Sequence, residues 1–311
     1  MGEWSKSIGE HGEDIVFSFL KFIGWKAAVR GIDVSCIHPD GHKKSSSASE
    51  RTSHGIDYVY TGQSPLEDGV LKHLCISSKF SSKAYVRPLA STFKNHFSDL
   101  ATAIECFKRS AQKKQLNAGY TGISAEVVAG VLFWINGEDV KDFDAVSEIA
   151  SSKKLDDSNY GTIYVVDNRR ACFLYEAISY MRNTYGAANV RFLYPSTGKN
   201  VDPSQRIAAG DVLPAEYLTS GIIPFFVQVG DAKSLAICCD DEFSEEGLRR
   251  LIGYLSSVAL DFPQKVVIAF PDYNFGDHSR QAALAKGSIA NKHFAELVDV
   301  VSYRSDFRGI A

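Results

Sequence analysis

The sequence predicts an α/β protein in which helices flank a mixed sheet, followed along the chain by a second α/β unit. Two apolar-rich segments around a turn, near 54–61 and 70–80, are typical of a β-hairpin. Apolar residues recur at helical spacing over 93–111. The segment 125–136 is mostly apolar on both faces, which is typical of a central strand.

The chain begins with a predicted helix. The segment "GEHGEDIVFSFLKFIGW" repeats apolar residues at helical spacing, carries acidic residues in its first turns and reaches Gly24 at its end. A short strand around 31–37 follows, and then a polar, Ser- and Lys-rich segment at 38–53 that predicts a surface loop. With the hairpin, the second helix and the central strand, the predicted order is α-β-β-β-α-β.

The rest of the chain predicts two domains. Two strand-like segments, "GTIYVVDN" and "ANVRFLYP", are consistent with extension of the first sheet. The stretch 196–214 contains Pro, Gly and Ser and is the best candidate for a linker. The sequence therefore predicts a first domain at 1–195 and a C-terminal α/β domain of unknown role at 215–311.

Composition narrows the class of protein. The chain has 311 residues, 45% of them hydrophobic and 23% charged, as in ordinary globular proteins. No signal-peptide pattern opens it and no apolar run is long enough to cross a bilayer, so we expect a soluble cytoplasmic protein. The net charge is −3, yet residues 1–120 hold 16 Lys and Arg against 12 Asp and Glu. We therefore expect any polyanionic ligand to bind to the N-terminal part of the chain.

The six cysteines show no CxxC pair, and several lie inside apolar strand or helix patterns. A reduced thiol in such a position behaves as a small hydrophobic side chain. The spacing therefore predicts buried free thiols, with neither a zinc site nor a disulfide framework.

The hairpin is the candidate site. Residues two apart on a strand share a face, so Ser77 and Lys79 project together from the second strand. If the loop is symmetric about Glu67, Asp57 on the first strand lies opposite Ser77. Such a patch suits metal-dependent phosphodiester hydrolysis, in which carboxylates hold Mg²⁺ and an ammonium group stabilises developing charge. An ordinary cross-strand Asp–Lys pair is the alternative.

The element order and these residues resemble the PD-(D/E)XK nuclease superfamily, the restriction-endonuclease-like fold. The segment "GIDYVY" matches the strand that bears the motif Asp, here Asp57, and "ISSK" occupies the place of the (D/E)xK signature, with Lys79 as the motif Lys. The first helix resembles the family's first helix. The resemblance implies a Mg²⁺ (or Mn²⁺) site with Glu13 and Asp57 as metal ligands and Lys79 as the catalytic ammonium group.

Ser77 stands where that family's motif has an acid. The departure removes one expected metal ligand, so either another acid replaces it or metal binding is weakened or lost. The acids that could replace it are Glu13, Glu10, Asp99 and Glu105.

The layout of "GEWSKSIGEHGE", "HGIDYVYTGQSPL" and "ISSKFSSKAY" is also similar to the nuclease-like subunit of two-component bacterial anti-phage defence systems. This resemblance implies a Mg²⁺-dependent DNA endonuclease-like effector that works with a partner protein subunit. The alternative is a catalytically inactive protein of the same fold that binds DNA or a partner. RNA as the substrate and a homo-oligomeric state remain open.

Overall fold

The protein's structure is a computed structural model. It describes residues 2–43, 49–138, 143–150, 160–202, 204, 206–259 and 263–304. Parts of the predicted surface loop (44–48) and of the predicted linker (203 and 205) lie outside the described residues. The chain divides into two compact units, Met1–Ala171 and Cys172–Ala311, whereas the sequence pattern placed the boundary at 196–214. No helix among the described residues is long and apolar enough to cross a membrane.

The described residues of the first unit form a five-stranded sheet with the strand order β1-β2-β3-β4-β5. Strands β1, β2 and β3 are antiparallel, whereas β3, β4 and β5 run parallel. The predicted α-β-β-β-α-β order is confirmed, and the strand in "GTIYVVDN" extends this sheet as expected. The elements are α1 (Gly2–Phe22), β1 (Val29–Ser35), β2 (Ser53–Gln63), β3 (Val70–Ser81), α2 (Leu89–Lys108), α3 (Ala111–Asn117), β4 (Ala125–Asn136), α4 (Ala145–Ala150) and β5 (Ile163–Val166).

Helices α1 and α2 cover opposite faces of this sheet. On the α1 face, Phe19 meets Phe133 of β4 with ring centroids 5.7 Å apart. On the α2 face, Phe93 meets Trp134, the next residue of β4, with centroids 5.7 Å apart. Because neighbouring residues of a strand point to opposite faces, β4 is buried on both sides, as its apolar sequence predicted.

The hairpin has the predicted register. Tyr58 pairs with Ile76 and Gln63 pairs with Leu71, so the loop is symmetric about Glu67. The same register continued by one residue brings Asp57 opposite Ser77.

The second unit contains a six-stranded sheet with the order β11-β10-β9-β8-β6-β7, in which β9, β10 and β11 are parallel. A second α/β unit is therefore confirmed. Helix α5 (Asn168–Tyr185) contains the point that divides the units. The further elements are β6 (Val190–Leu193), β7 (Ala209–Gly210), β8 (Ile222–Val229), β9 (Ala232–Cys239), α6 (Glu245–Val258), β10 (Lys265–Phe270), α7 (Phe275–Gly287), α8 (Lys292–Glu296) and β11 (Val298–Ser302).

The expectation that "ANVRFLYP" extends the first sheet is wrong. Its strand, β6, pairs antiparallel with β8 in the second sheet. The rings of Phe192 and Phe225 lie 5.6 Å apart across that pair, and both are buried. An apolar strand pattern predicts a buried strand but does not identify the sheet that buries it.

Candidate functional site

The candidate site lies where strand β2 changes the face that its side chains present. Tyr58 lies on the α1 face, where its ring stacks on Phe17 with centroids 5.7 Å apart. Ile56, two residues earlier, packs in the hydrophobic core that contains α2. In a regular strand these two residues would share a face. The alternation therefore shifts at Asp57, the residue between them.

Strand β1 makes the same shift at Gly31. Arg30 pairs with Tyr58 and its guanidinium lies over Phe17 on the α1 face, whereas Ile32 pairs with Ile56 and packs against the α2 core. Gly31, between them, has a φ of 63°. This is the left-handed region, which costs glycine little because it has no Cβ. Both strands thus change face together and keep their register.

The Asp57 carboxylate is held by strand β3. Its Oδ2 atom accepts a hydrogen bond from the backbone N–H of Ser78 at 2.7 Å and a longer one from the Ser77 hydroxyl at 3.4 Å. The structure therefore brings Asp57 and Ser77 together. Ser77 is buried, and its hydroxyl is a donor to the carboxylate.

Glu13 reaches the same place from α1. The Tyr58 hydroxyl donates to the backbone carbonyl of Glu13 at 2.7 Å, which fixes this turn of the helix over β2. Burial and the nearby negative charge of Asp57 raise the pKa of the Glu13 carboxyl, and the charge of Arg30 opposes that rise. Glu13 and Asp57 are therefore close enough to repel each other. We call Glu13, Asp57 and Ser77 the carboxylate patch.

Close packing fixes the height of α1 above the sheet. A Cβ built at Gly12 would overlap the Cβ of Phe80 on β3. The ring of His11 also meets Phe80 edge-on, with centroids 5.9 Å apart. The absence of a side chain at Gly12 lets the helix approach β3 directly beside Glu13.

Lys79 forms its ion pair with α2. Its ammonium Nζ lies 3.8 Å from Asp99 Oδ2, while Arg51 approaches Asp99 Oδ1 at 2.7 Å. Among the described residues, Lys79 makes no ion pair with Asp57. The structure therefore brings Asp57 and Ser77 into contact, places Glu13 within electrostatic range of Asp57, and places the Lys79 ammonium group beside Asp99.

His96 completes the group around Lys79. Burial and the positive charge of Lys79 lower the pKa of His96 to about 4, although Asp99 acts in the opposite direction. The imidazole is therefore neutral at neutral pH. We call Lys79, Asp99, Arg51 and His96 the Lys79 group.

Sequence reasoning missed Arg51 and His96. His96 lies three residues before Asp99 on a predicted helix, and that spacing puts both on one side of it, so a signal existed. Arg51 lies in a segment without a pattern, and no sequence signal marks it.

The acids considered as replacements for the missing ligand lie in different places. Glu10 is near enough for its charge to raise the pKa of Glu13. Asp99 is held by Arg51 and Lys79. Glu105 contacts His42 at 3.2 Å and His38 at 3.8 Å, so it belongs to a different group of side chains.

The donor chemistry of the carboxylate patch fits a divalent cation that prefers oxygen ligands. The negative charge of Asp57 raises the pKa of Glu13, and a bound divalent cation would relieve that repulsion. Carboxylate and hydroxyl oxygens are ligands of the kind that Mg²⁺ and Mn²⁺ accept.

A comparison with protein families identifies one whose model matches this chain, described as the GAPS4 protein PD-(D/E)XK nuclease domain. The match covers residues 1–170, more than half of the chain and nearly all of the first compact unit. It includes every residue of the carboxylate patch and of the Lys79 group. No curated protein matches the chain.

Proposed function

We propose that this chain, which belongs to the GAPS4 PD-(D/E)XK nuclease domain family, is a Mg²⁺-dependent DNA endonuclease that acts as the effector of an anti-phage defence complex. The observation that carries the proposal is the Asp57 carboxylate, which β3 holds beside Ser77 at the motif position. Glu13 of α1 lies near enough for the charge of Asp57 to raise the pKa of its carboxyl. A nuclease of this class needs such a pair. The family membership makes nucleic acid the expected substrate.

Glu13 and Asp57 are the residues we assign to the metal. The Ser78 N–H and the Ser77 hydroxyl both donate to Oδ2 of Asp57. These hydrogen bonds fix the carboxylate's orientation before a metal binds, which limits the entropy lost on binding. When bound, Mg²⁺ would polarise a phosphate oxygen and lower the pKa of a bound water molecule.

Ser77 supports the patch as a hydrogen-bond donor. A neutral hydroxyl is a weaker Mg²⁺ ligand than the carboxylate the family motif has there. Glu13 from α1 supplies a second carboxylate, so the patch keeps two negative charges for a divalent cation.

The Lys79 group supplies positive charge for the phosphate. Lys79 and Arg51 share one carboxylate, that of Asp99, so two cations face one anion. The side chain of Lys79 is 28% exposed and therefore open to a ligand. In this role the Lys79 ammonium would leave Asp99 for the phosphate and stabilise the charge that develops in the transition state. Neutral His96 can donate or accept a hydrogen bond beside it.

The second candidate is a catalytically inactive protein of the same fold that binds DNA or a partner. Two observations favour it: Ser77 provides no carboxylate, and Lys79 is already paired with Asp99. A partner protein subunit belongs to both candidates, because the resemblance to two-component defence systems implies one.

The test is a cleavage assay on the full-length chain, alone and with any subunit that co-purifies with it. Plasmid DNA and an RNA of similar length are incubated in Mg²⁺, in buffer without divalent metal, and after Mg²⁺ is added back. Leaving Mg²⁺ out and then adding it back is a better test than a strong chelator, because a chelator would also remove any metal ion that the protein binds more tightly than Mg²⁺. We expect DNA cleavage that requires Mg²⁺.

Asp57→Asn should abolish that cleavage, and Asp33→Asn is the matched control because Asp33 is an exposed residue of the neighbouring strand. Cleavage of RNA alone would reassign the substrate. Salt-sensitive DNA binding without cleavage under every condition would favour the inactive candidate.

A further inference from the structure

A second group of side chains in the first unit has the composition of a metal site. Cys36, which follows β1, and His42 lie in the segment between β1 and β2, His54 lies on β2, and Cys106 lies on α2. One ligand atom from each of the four lies within 4.8 Å of all the others. We call these four residues the Cys–His cluster.

The three separations from His42 to the other ligand atoms fit a tetrahedron. His42 Nδ1 is 3.3 Å from His54 Nε2, 3.4 Å from Cys36 Sγ and 3.4 Å from Cys106 Sγ. Tetrahedral zinc has Zn–N bonds of about 2.0–2.1 Å and Zn–S bonds of about 2.3 Å, which place neighbouring ligand atoms roughly 3.3–3.8 Å apart. His42 thus lies at the distance from all three partners that one shared ion would require.

Neighbouring groups orient the His42 and Cys106 side chains toward a common point, as metal binding requires. His42 directs Nδ1 into the cluster, and its other nitrogen, Nε2, lies 3.2 Å from the Glu105 carboxylate. A carboxylate on the remote nitrogen is the usual outer partner of a zinc-bound histidine, because it fixes the tautomer and the ring orientation. The backbone N–H of Ile37 donates to Cys106 Sγ at 3.4 Å, a contact that orients this sulfur.

Burial excludes an open catalytic position. His42, His54 and Cys106 are buried and Cys36 is half-buried. Four protein ligands of the Cys₂His₂ type leave no position for water or substrate, which is the pattern of structural zinc sites. Thiolate and imidazole together favour Zn²⁺ over Mg²⁺, whose ligands are oxygens.

We propose that the Cys–His cluster binds one Zn²⁺ ion, which ties Cys36 and His42 after β1 and His54 of β2 to Cys106 of α2. This site goes beyond the proposed nuclease function and does not depend on it. Arg51 lies in the chain between His42 and His54 and pairs with Asp99 of α2. Because two of its ligands lie on either side of Arg51 in the chain, the ion would help to keep Arg51 beside Asp99, which Lys79 also contacts.

The test begins with the zinc content of the wild-type chain, purified under reducing conditions and measured by elemental mass spectrometry. We expect one zinc per chain. After removal of the metal, titration with Co²⁺ should produce the ligand-field bands of a tetrahedral site and a thiolate-to-cobalt charge-transfer band. Both readouts use the wild-type chain, so they remain informative even where a variant fails to fold.

Variants then assign the ligands. Cys36→Ser and Cys106→Ser should each lose the bound zinc and weaken the charge-transfer band. Cys75→Ala is the matched control, because Cys75 is a buried cysteine of the same unit outside the cluster, and it should keep the zinc. Glu105→Gln should weaken zinc affinity by roughly 10–100-fold in competition with a chromophoric chelator, the usual effect of removing an outer carboxylate.

Three results would overturn the proposal. The first is a zinc-free wild-type chain that gives no tetrahedral Co²⁺ spectrum. The second is zinc that remains bound in both cysteine variants, which would mark it as adventitious. The third is a Cys36–Cys106 disulfide in the protein isolated from cells with thiols blocked at lysis.

Discussion

The carboxylate patch and the Cys–His cluster lie in the same unit but differ in donor chemistry and in how the sequence encodes them. The patch offers oxygen atoms to a hard cation, whereas the cluster offers sulfur and imidazole nitrogen to a softer one. Asp57 and Ser77 face each other on one hairpin. The four residues of the cluster instead come from β2, α2 and the chain segment after β1.

This difference shows that the spacing of residues along the sequence predicts contacts only within one helix, one strand or one hairpin. The register of β2 against β3 makes Asp57 and Ser77 neighbours, however the helices pack on the sheet. The Cys–His cluster exists only after α2 has docked on the sheet. Its cysteines therefore look like unrelated hydrophobic positions in the sequence.

The largest effect that would separate the carboxylate patch from the Cys–His cluster is expected for Glu13→Gln. A patch already short of the motif acid has no spare carboxylate, so the variant should lose cleavage as completely as Asp57→Asn. Its zinc content should stay at the wild-type level, since the Cys–His cluster shares no residue with the patch. Plasmid cleavage and elemental analysis on the same sample measure both. Full activity in Glu13→Gln would place the second metal-binding acid elsewhere.

A smaller loss is expected for Lys79→Ala. If the ammonium group stabilises charge in the transition state, cleavage should fall by about 10²-fold while Mg²⁺ still supports the remainder. Lys83→Ala is the matched control, because Lys83 is exposed just beyond the end of β3. Single-turnover rates measure the effect. Equal rates in Lys79→Ala and wild type would remove Lys79 from the mechanism.

The smallest effect concerns pH. The Glu13 carboxyl, whose pKa is raised by burial and by Asp57, must lose its proton to hold a cation. Cleavage should therefore fall as the pH is lowered through that raised pKa. Arg30 lowers the pKa of Glu13, so Arg30→Gln should move this loss of cleavage to higher pH.

Arg30→Lys is the control for that shift, because it keeps the charge but loses the guanidinium's hydrogen bonds to Asp14 and Tyr58. The pH dependence of kcat/KM distinguishes the two variants. An identical acid limb in both would mean that the charge of Arg30 does not act on the patch.

Much of the first unit could be predicted from sequence because its signals are local. The two-residue period of the hairpin strands and the symmetry of the loop about Glu67 were enough to place Asp57 opposite Ser77. The family could be identified because Asp57 and Lys79 fall in motifs in the expected element order.

What could not be predicted depends on how distant elements dock. Lys79 was expected to join Asp57, but its ion pair is with Asp99 on α2, and strand pairing alone does not fix the position of a helix. The change of face at Asp57 was also unexpected, because a strict two-residue period does not contain it. Strand β6 was assigned to the wrong sheet for a related reason, since its apolar residues fit either one.

The contact between Gly12 and Phe80 constrains how this family can vary in evolution. Any larger residue at position 12 would push α1 away from β3 unless a smaller residue stood at position 80. The two positions should therefore covary among homologues, although neither belongs to the nuclease motif. Homologues that keep the motif but have a bulky pair at these positions would hold Glu13 farther from Asp57.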